Sequence, residues 1–337
     1  GAAQGMRFHG DLFSATSAHD APRVAHAGPA PHLTGGNRVP RGDADGARLE
    51  RRIPVPVQEP AVSTESPAAV PAAPAKIRLR HLQQAKEQGR PFAMLTAYDQ
   101  FSARVFEEAG IETLLIGDSV GTTVLGHSST TSTTHADMLV FTAAVARSVT
   151  RPLIVADLAF GTYETGPRDA VLHGIELVRA GAEAVKLEGG AEVVPQIEAL
   201  VAAGIPVIGH LGFTPQSVNA HSGHRVQGRD EQAAKKMLAD ALAIQEAGVS
   251  AMVLELVPAR VAAEVTAALR VPTIGIGAGA GCDGQVLVWQ DMAGLSGFRG
   301  KFVKAFADLR GELLGAATAY RAEVEERSYP GAEHSFD

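Results

Sequence analysis

The chain has 337 residues, 45% hydrophobic and 20% charged, with a formal net charge of -7 at pH 7. That length suits one large α/β domain or two ordinary ones; the acidic balance argues against nucleic acid and anionic membrane surfaces as partners, and no apolar run nears the roughly 18 residues of a membrane span. A single cysteine, Cys282, excludes an intrachain disulfide and fits a reducing, cytoplasmic compartment, and 5% aromatic residues argues against stacking platforms for bases or sugars.

Residues 1–75 stand apart. Ten of the nineteen prolines lie there among Ala, Gly, Arg and Ser, with no sustained period of 2 or 3.6. Such a segment cannot assemble a core, so it reads as a disordered extension. An organelle-targeting segment is a second reading, weakened by Asp11, Asp20, Asp43, Asp45 and Glu50, because such peptides are poor in acids. Sequence ahead of a start at Met6 is a third.

From residue 76 the chain alternates regularly. A lead-in helix covers Ile77 to Gln88, and Phe92 to Ala97 reads as a first strand closed by Tyr98-Asp99. Helical periodicity follows from Gln100 to Ala109, then an apolar strand running into Asp118. The pattern repeats as a helix over 136–147, a strand 153–157, a helix 168–180, a strand 184–188, a helix 193–203 and a strand 207–210. A longer helix over 231–247, a strand ending at Glu255, a helix from near Pro258 and a strand 273–277 come next. Val286 to Val288 is the candidate eighth strand, and helices over 301–326 form a C-terminal cap. Seven or eight βα units in about 240 residues predict a (β/α)8 TIM barrel over 76–337, with a doubly wound open sheet as runner-up.

Five of these strands end in an ionisable residue: Asp118, Asp157, Glu188, His210 and Glu255. In a parallel sheet all the C-terminal strand ends share one face, so these residues gather around one pocket. For any one Asp, a helix cap or turn is the alternative role. Converging carboxylates repel one another unless a cation or shared protons hold them. The set Asp118, Asp157 and Glu188 offers only oxygen and suits Mg²⁺; His210 would tilt the choice toward Zn²⁺ or Co²⁺. Lys186 and Glu188 are two apart and point the same way from their strand. Glu255 sits across the mouth, placed as a general base or as half of a salt bridge to Arg or Lys. Gly275 to Gly279, a GxGxG run, resembles a phosphate cradle or a tight βα loop. His221-Ser222-Gly223-His224 reads as a polar loop rather than a metal site.

Several motifs, in order, resemble one family. They are Leu95-Thr96-Ala97-Tyr98-Asp99, Gly117-Asp118-Ser119, Ala156-Asp157-Leu158, Lys186-Leu187-Glu188-Gly189-Gly190, Gly209 to Ser217 (GHLGFTPQS), Val226-Gln227-Gly228-Arg229, Leu254-Glu255, Ile274 to Gly279 and Tyr329 to Phe336. From residue 77 onward the chain is similar to the ketopantoate hydroxymethyltransferases. The resemblance implies a (β/α)8 barrel transferring a one-carbon unit from 5,10-methylenetetrahydrofolate to 3-methyl-2-oxobutanoate. It implies Asp118 and Asp157 as Mg²⁺ ligands with Glu188 as the third acid, directly or through water. Asp118, Ser119, Asp157 and Lys186 would bind the 2-oxo acid, and Glu255 would accept the proton. It also implies a homo-oligomer, commonly a decamer. Two rivals stand beside it. A lyase or mutase of the phosphoenolpyruvate type often needs a catalytic Cys, and Cys282 lies late in a Gly-rich loop. A non-catalytic barrel would be expected to lack Asp118, Asp157 or Glu255.

Overall fold

The computed structural model describes residues 76–220 and 226–336. The readings of residues 1–75 and of 221–224 lie outside them. Among the described residues, eight parallel strands pair in chain order and close into a barrel. The order is α1 (Leu79–Glu87), β1 (Phe92–Thr96), α2 (Gln100–Glu108), β2 (Thr113–Ile116), α3 (Val120–Thr123), α4 (His135–Ala146), β3 (Leu153–Asp157) and α5 (Pro167–Ala180). Then come β4 (Ala184–Glu188), α6 (Val194–Ala202), β5 (Val207–Gly212), α7 (Glu231–Glu246), β6 (Ala251–Glu255) and α8 (Ala259–Ala268). The last are β7 (Thr273–Ile276), β8 (Gly284–Leu287), α9 (Trp289–Met292) and α10 (Leu309–Glu325). Closure is explicit: Phe92 to Leu95 of β1 pair with Gly284 to Leu287 of β8. That excludes the open doubly wound sheet.

Each strand alternates between two apolar environments. Leu153 and Val155 of β3, Ala184 of β4, Ile208 of β5, and Ala251 and Val253 of β6 fill the barrel interior. Their neighbours Ile154, Ala156, Val185, Val207, Met252 and Leu254 pack outward under the helices. The strands are therefore apolar on both faces, as a fully covered parallel sheet demands. Helix α1 closes the bottom: Ile77, Leu82 and Ala85 join the interior cluster with Phe92 and Met94. Lys86 ties it to the last strands, with Nζ 3.0 Å from Asp283 Oδ2 and 2.9 Å from the Thr266 carbonyl.

The ends of the helices follow local chemistry. Asp99, which closes the first strand, caps α2 by accepting from the Phe101 and Ser102 N–H groups. Thr134 and Asp137 form a capping box on α4, and Asp230 caps α7. At the C-terminal side one of two readings of the GxGxG run holds and one expectation fails. No helix lies between β7 and β8: residues 277–283 run back along α8, and a Cβ on Gly279 would lie 2.5 Å from that of Ala259. The GxGxG run thus serves close backbone packing and opens no helix that could cradle a phosphate. The expected helices over 301–326 are a single helix, α10, which buries none of its residues in this chain.

Candidate active site

Period-two alternation decides which side chains reach the top of the barrel. Asp157, Glu188, His210 and Glu255 continue the interior stripes of Val155, Ala184, Ile208 and Val253, one pleat repeat or more toward the strand ends. Lys186 lies between Ala184 and Glu188 on the same face of β4. Asp118 and Ser119 follow β2 directly. All seven line one cavity of about 1120 Å³ at the C-terminal mouth. Asp118, Asp157, Lys186, Glu188 and His210 are each at most 5% exposed.

The charged groups are fixed by direct contacts. The Asp118 N–H donates to Asp157 Oδ2 at 3.0 Å, and Lys186 Nζ lies 3.1 Å from Asp157 Oδ1. His210 stands between two acids, with Nδ1 3.4 Å from Glu188 Oε1 and Nε2 3.3 Å from Glu255 Oε2. The salt bridge envisaged for Glu255 is therefore made with histidine, and with neither Arg nor Lys. The Ser119 hydroxyl shares a 2.7 Å hydrogen bond with the Tyr98 phenol. Neither the Asp118 nor the Asp157 side chain caps a helix, although Asp118 stands in the turn that leads from β2 into α3.

Sequence reasoning missed Gln216, in the short turn after β5. Its Nε2 donates to Asp118 Oδ2 and to the Leu158 carbonyl, both at 2.9 Å. Its backbone N–H donates to Glu188 Oε2 at 3.0 Å. The Tyr163 hydroxyl donates to Gln216 Oε1 at 2.6 Å and accepts from the Glu188 N–H at 3.2 Å. One buried residue thus holds two of the acids, Asp118 through its side-chain amide and Glu188 through its backbone N–H. Only its place in the Thr214-Pro215-Gln216-Ser217 turn beyond a strand end could have flagged it.

Two basic side chains face four carboxylates, and the titration of the site reflects that excess. Burial, then the charges of Asp157 and Glu188, push Asp118 up to about 7. Burial raises Asp157 too, against the opposing pull of Lys186. Burial and Lys186, whose Nζ lies 3.3 Å from Nδ1, press His210 down, but the flanking carboxylates of Glu188 and Glu255 prevail and raise it to about 9. Burial works against the Glu188 charge, yet His210 and Lys186 hold its carboxyl below the usual range. Burial lifts the Tyr98 phenol to about 12, keeping it neutral beside Ser119.

This donor set fits a hard divalent cation in one specific way. Among the described residues, no three His, Cys, Asp or Glu side chains are arranged as a ready-made cage. Mg²⁺ rarely uses one; it takes one or two carboxylates and fills its shell with water and substrate oxygens. The Asp118 N–H donates to the Asp157 carboxylate, and both acids line the cavity. Asp157 Oδ1 is buried and meets the Lys186 ammonium at 3.1 Å, an oxygen whose second lone pair a cation facing the cavity would satisfy. Glu188 has its Oε2 committed to Gln216 and its Oε1 turned to His210, which suits contact through water.

The model of the ketopantoate hydroxymethyltransferase family matches residues 76–332, most of the chain. The chain belongs to that family. Among curated members, 3-methyl-2-oxobutanoate hydroxymethyltransferase of Thermobifida fusca (strain YX) is 54% identical over 262 residues, covering 77% of this chain and 94% of the relative. The same-named protein of Paenarthrobacter aurescens (strain TC1) is 51% identical over 280 residues, covering 82% and 93%. Solved structures share the fold at lower identity. A phosphonopyruvate hydrolase in complex with oxalate and Mg²⁺ aligns with a TM-score of 0.51 at 15% identity, covering 77% of this chain and 93% of that one. A putative phosphonomutase from Burkholderia cenocepacia J2315 aligns at 0.52 and 20%, covering 65% and 97%.

Proposed function

We propose that this chain transfers a one-carbon unit from 5,10-methylenetetrahydrofolate to 3-methyl-2-oxobutanoate, giving 2-dehydropantoate for pantothenate biosynthesis. The observation that carries the reading is 54% identity to a curated 3-methyl-2-oxobutanoate hydroxymethyltransferase over nearly that protein's whole length. The catalytic unit spans 76–337. The charged end of the cavity supports the chemistry independently, because a 2-oxo acid loses its C3 proton only if the resulting enolate is stabilised and a base stands nearby.

Asp118 and Asp157, with Glu188 behind them, are the residues that would hold Mg²⁺. Bound there, the ion would supply a Lewis acid for the ketone oxygen of the 2-oxo acid. Lys186, buried against Asp157, adds positive charge for the substrate carboxylate. Ser119, with its hydroxyl held by Tyr98, orients the same end. Glu255 takes the C3 proton through a carboxylate that His210 holds from one side. Water cleaves both C–N bonds of the donor's methylene group, its two protons going to the nitrogens of the departing tetrahydrofolate and its oxygen staying on the carbon as formaldehyde; C3 adds to that carbon, and the oxygen takes the proton held by Glu255 to become the hydroxyl.

The partners on this reading are small molecules and further copies of the chain. Helix α10 supports a homo-oligomer, up to the decamer implied by the family: Leu309, Leu313, Tyr320 and Val324 recur along one helical face and are all exposed. No helix among the described residues is long and apolar enough to cross a membrane, and a lone cysteine suits the cytoplasm.

Purified protein given Mg²⁺, the folate donor and 3-methyl-2-oxobutanoate should form 2-dehydropantoate, read by mass spectrometry. Metal-loaded, folded protein that makes none would end the proposal.

A further inference from the structure

A five-carbon 2-oxo acid accounts for only the charged end of a cavity whose volume, about 1120 Å³, exceeds the roughly 300–1,000 Å³ typical of drug-sized ligands. The rest of the mouth has two unlike walls. One is built from hydroxyls, among them Thr122, Thr123, Ser129 and Thr131. The other carries Leu256, Leu295, Phe298 and Phe302, with Asp291 and Ser296 at its edge.

The apolar wall is anchored next to the proposed base. Leu256 follows Glu255 and has φ +49, a left-handed conformation rare for a residue with a Cβ. Two backbone bonds hold it there: its N–H donates to the Ile276 carbonyl, and its carbonyl accepts from the Gln227 N–H, both at 2.9 Å. Such backbone strain persists only where the surroundings enforce it, and it gathers at functional sites. On the adjacent strand end Gly277 has φ +64, and a Cβ there would lie 2.9 Å from Leu256 Cδ2 and 3.1 Å from Phe302 Cγ. The absent side chain is the space in which Phe302 packs. The Phe298 ring stands 6.1 Å from that of Phe302, tilted by 58°, and is 51% exposed at the edge of the cavity. In a chain with few aromatics, two unstacked rings beside the reacting end of a site form a surface for a flat ligand.

We propose that Leu256, Phe298 and Phe302 form the subsite for the ring system of the one-carbon donor. The inference rests on the donor named in the preceding subsection and adds where it lies. A pterin-type bicycle and its aminobenzoyl ring are flat and largely apolar on their faces. Lying on this wall, they carry the methylene carbon toward Glu255 and C3 of the 2-oxo acid. The hydroxyl wall opposite offers partners for the polar edge of the bicycle.

The test separates the two halves of the reaction. Deuterium exchange at C3 of 3-methyl-2-oxobutanoate, measured by NMR in D₂O with Mg²⁺ and no folate, reads the charged end alone. Phe298→Ala should raise the KM for methylenetetrahydrofolate about tenfold, the size of one lost stacking contact, with the exchange rate within about twofold of the parent. Phe298→Tyr should keep the parent KM. Binding of tetrahydrofolate itself, followed by intrinsic fluorescence, should weaken in parallel in Phe298→Ala and in Leu256→Ala. An unchanged donor KM in Phe298→Ala overturns the subsite, as does an equal loss of exchange and transfer. Absence of exchange in the parent protein would count against the 2-oxo acid reading instead.

Discussion

Asp118 shows how burial and like charge set the behaviour of the site. Its carboxyl is raised from 3.8 to about 7 by burial and by Asp157 and Glu188. A carboxyl raised on folding binds more protons in the native state than in the unfolded one. Its contribution is therefore intact at low pH and is lost as pH rises from about 4 through 7. Cation-free protein should lose thermal stability over that window, and Mg²⁺ should restore it at the upper end. Asp118→Asn should flatten both responses, checked by melting curves at stepped pH with and without Mg²⁺. His210 adds a second loss: raised from 6.5 to about 9, its contribution fades as pH climbs between those values. Gln216 acts on the same acids without any charge of its own. Gln216→Leu removes the donor to Asp118 while keeping the backbone N–H that serves Glu188. Loss of such a supporting partner costs about 10–100-fold in metal affinity. Titration with Mn²⁺ by electron paramagnetic resonance should show that weakening; parent-like affinity would remove Gln216 from this role.

The elements divide the labour between the two ends of the barrel. The bottom is a plug of apolar contacts in which Leu82 of α1 is 1% exposed against the strand interior. Leu82→Ala should cost about 2–5 kcal/mol of stability through the cavity it leaves. In calorimetry the melting temperature should fall, while C3 exchange per folded molecule stays at the parent rate, because the chemistry lies at the opposite end. The strands were legible in the sequence for a clear reason. Each is a short run apolar on both faces, and an ionisable residue at the end of such a run has few places to go except the mouth. Asp157, Lys186, Glu188 and Glu255 could be placed on that ground alone. Gln216 and Tyr163 could not, because a polar residue in a turn carries no sign of the acid it will meet. β8 was expected at 286–288 and lies at Gly284–Leu287, since a glycine and an exposed Gln285 mask its start. Residues 301–308 were read as helical, but the Phe306 and Leu309 N–H groups donate to the Met292 and Ala293 carbonyls, which holds the segment against the end of α9, and Asp308 starts the helix only at Leu309.

At the scale of the molecule, one closed barrel brings seven ionisable or hydroxyl side chains from five strand ends into a single mouth. The family resemblance in the sequence already implied that barrel, and the match over residues 76–332 agrees with it. Helix α10 points beyond a single chain. It exposes Leu313 and Leu314 at 59% and 60%, more than a solitary helix gains from leaving in water. Light scattering after size exclusion should give a mass several times 35.0 kDa, and Leu313→Glu with Val324→Glu should lower it. A parent protein that elutes as a monomer would remove the oligomer from the account. The division of the acids into a cation pair and a separate base is the centre of the account, and C3 exchange of 3-methyl-2-oxobutanoate in D₂O without folate reads it directly. Glu255→Gln should slow that exchange by about 10²–10⁴-fold while leaving 2-oxo acid and Mg²⁺ affinity near the parent values; exchange at the parent rate would contradict the account.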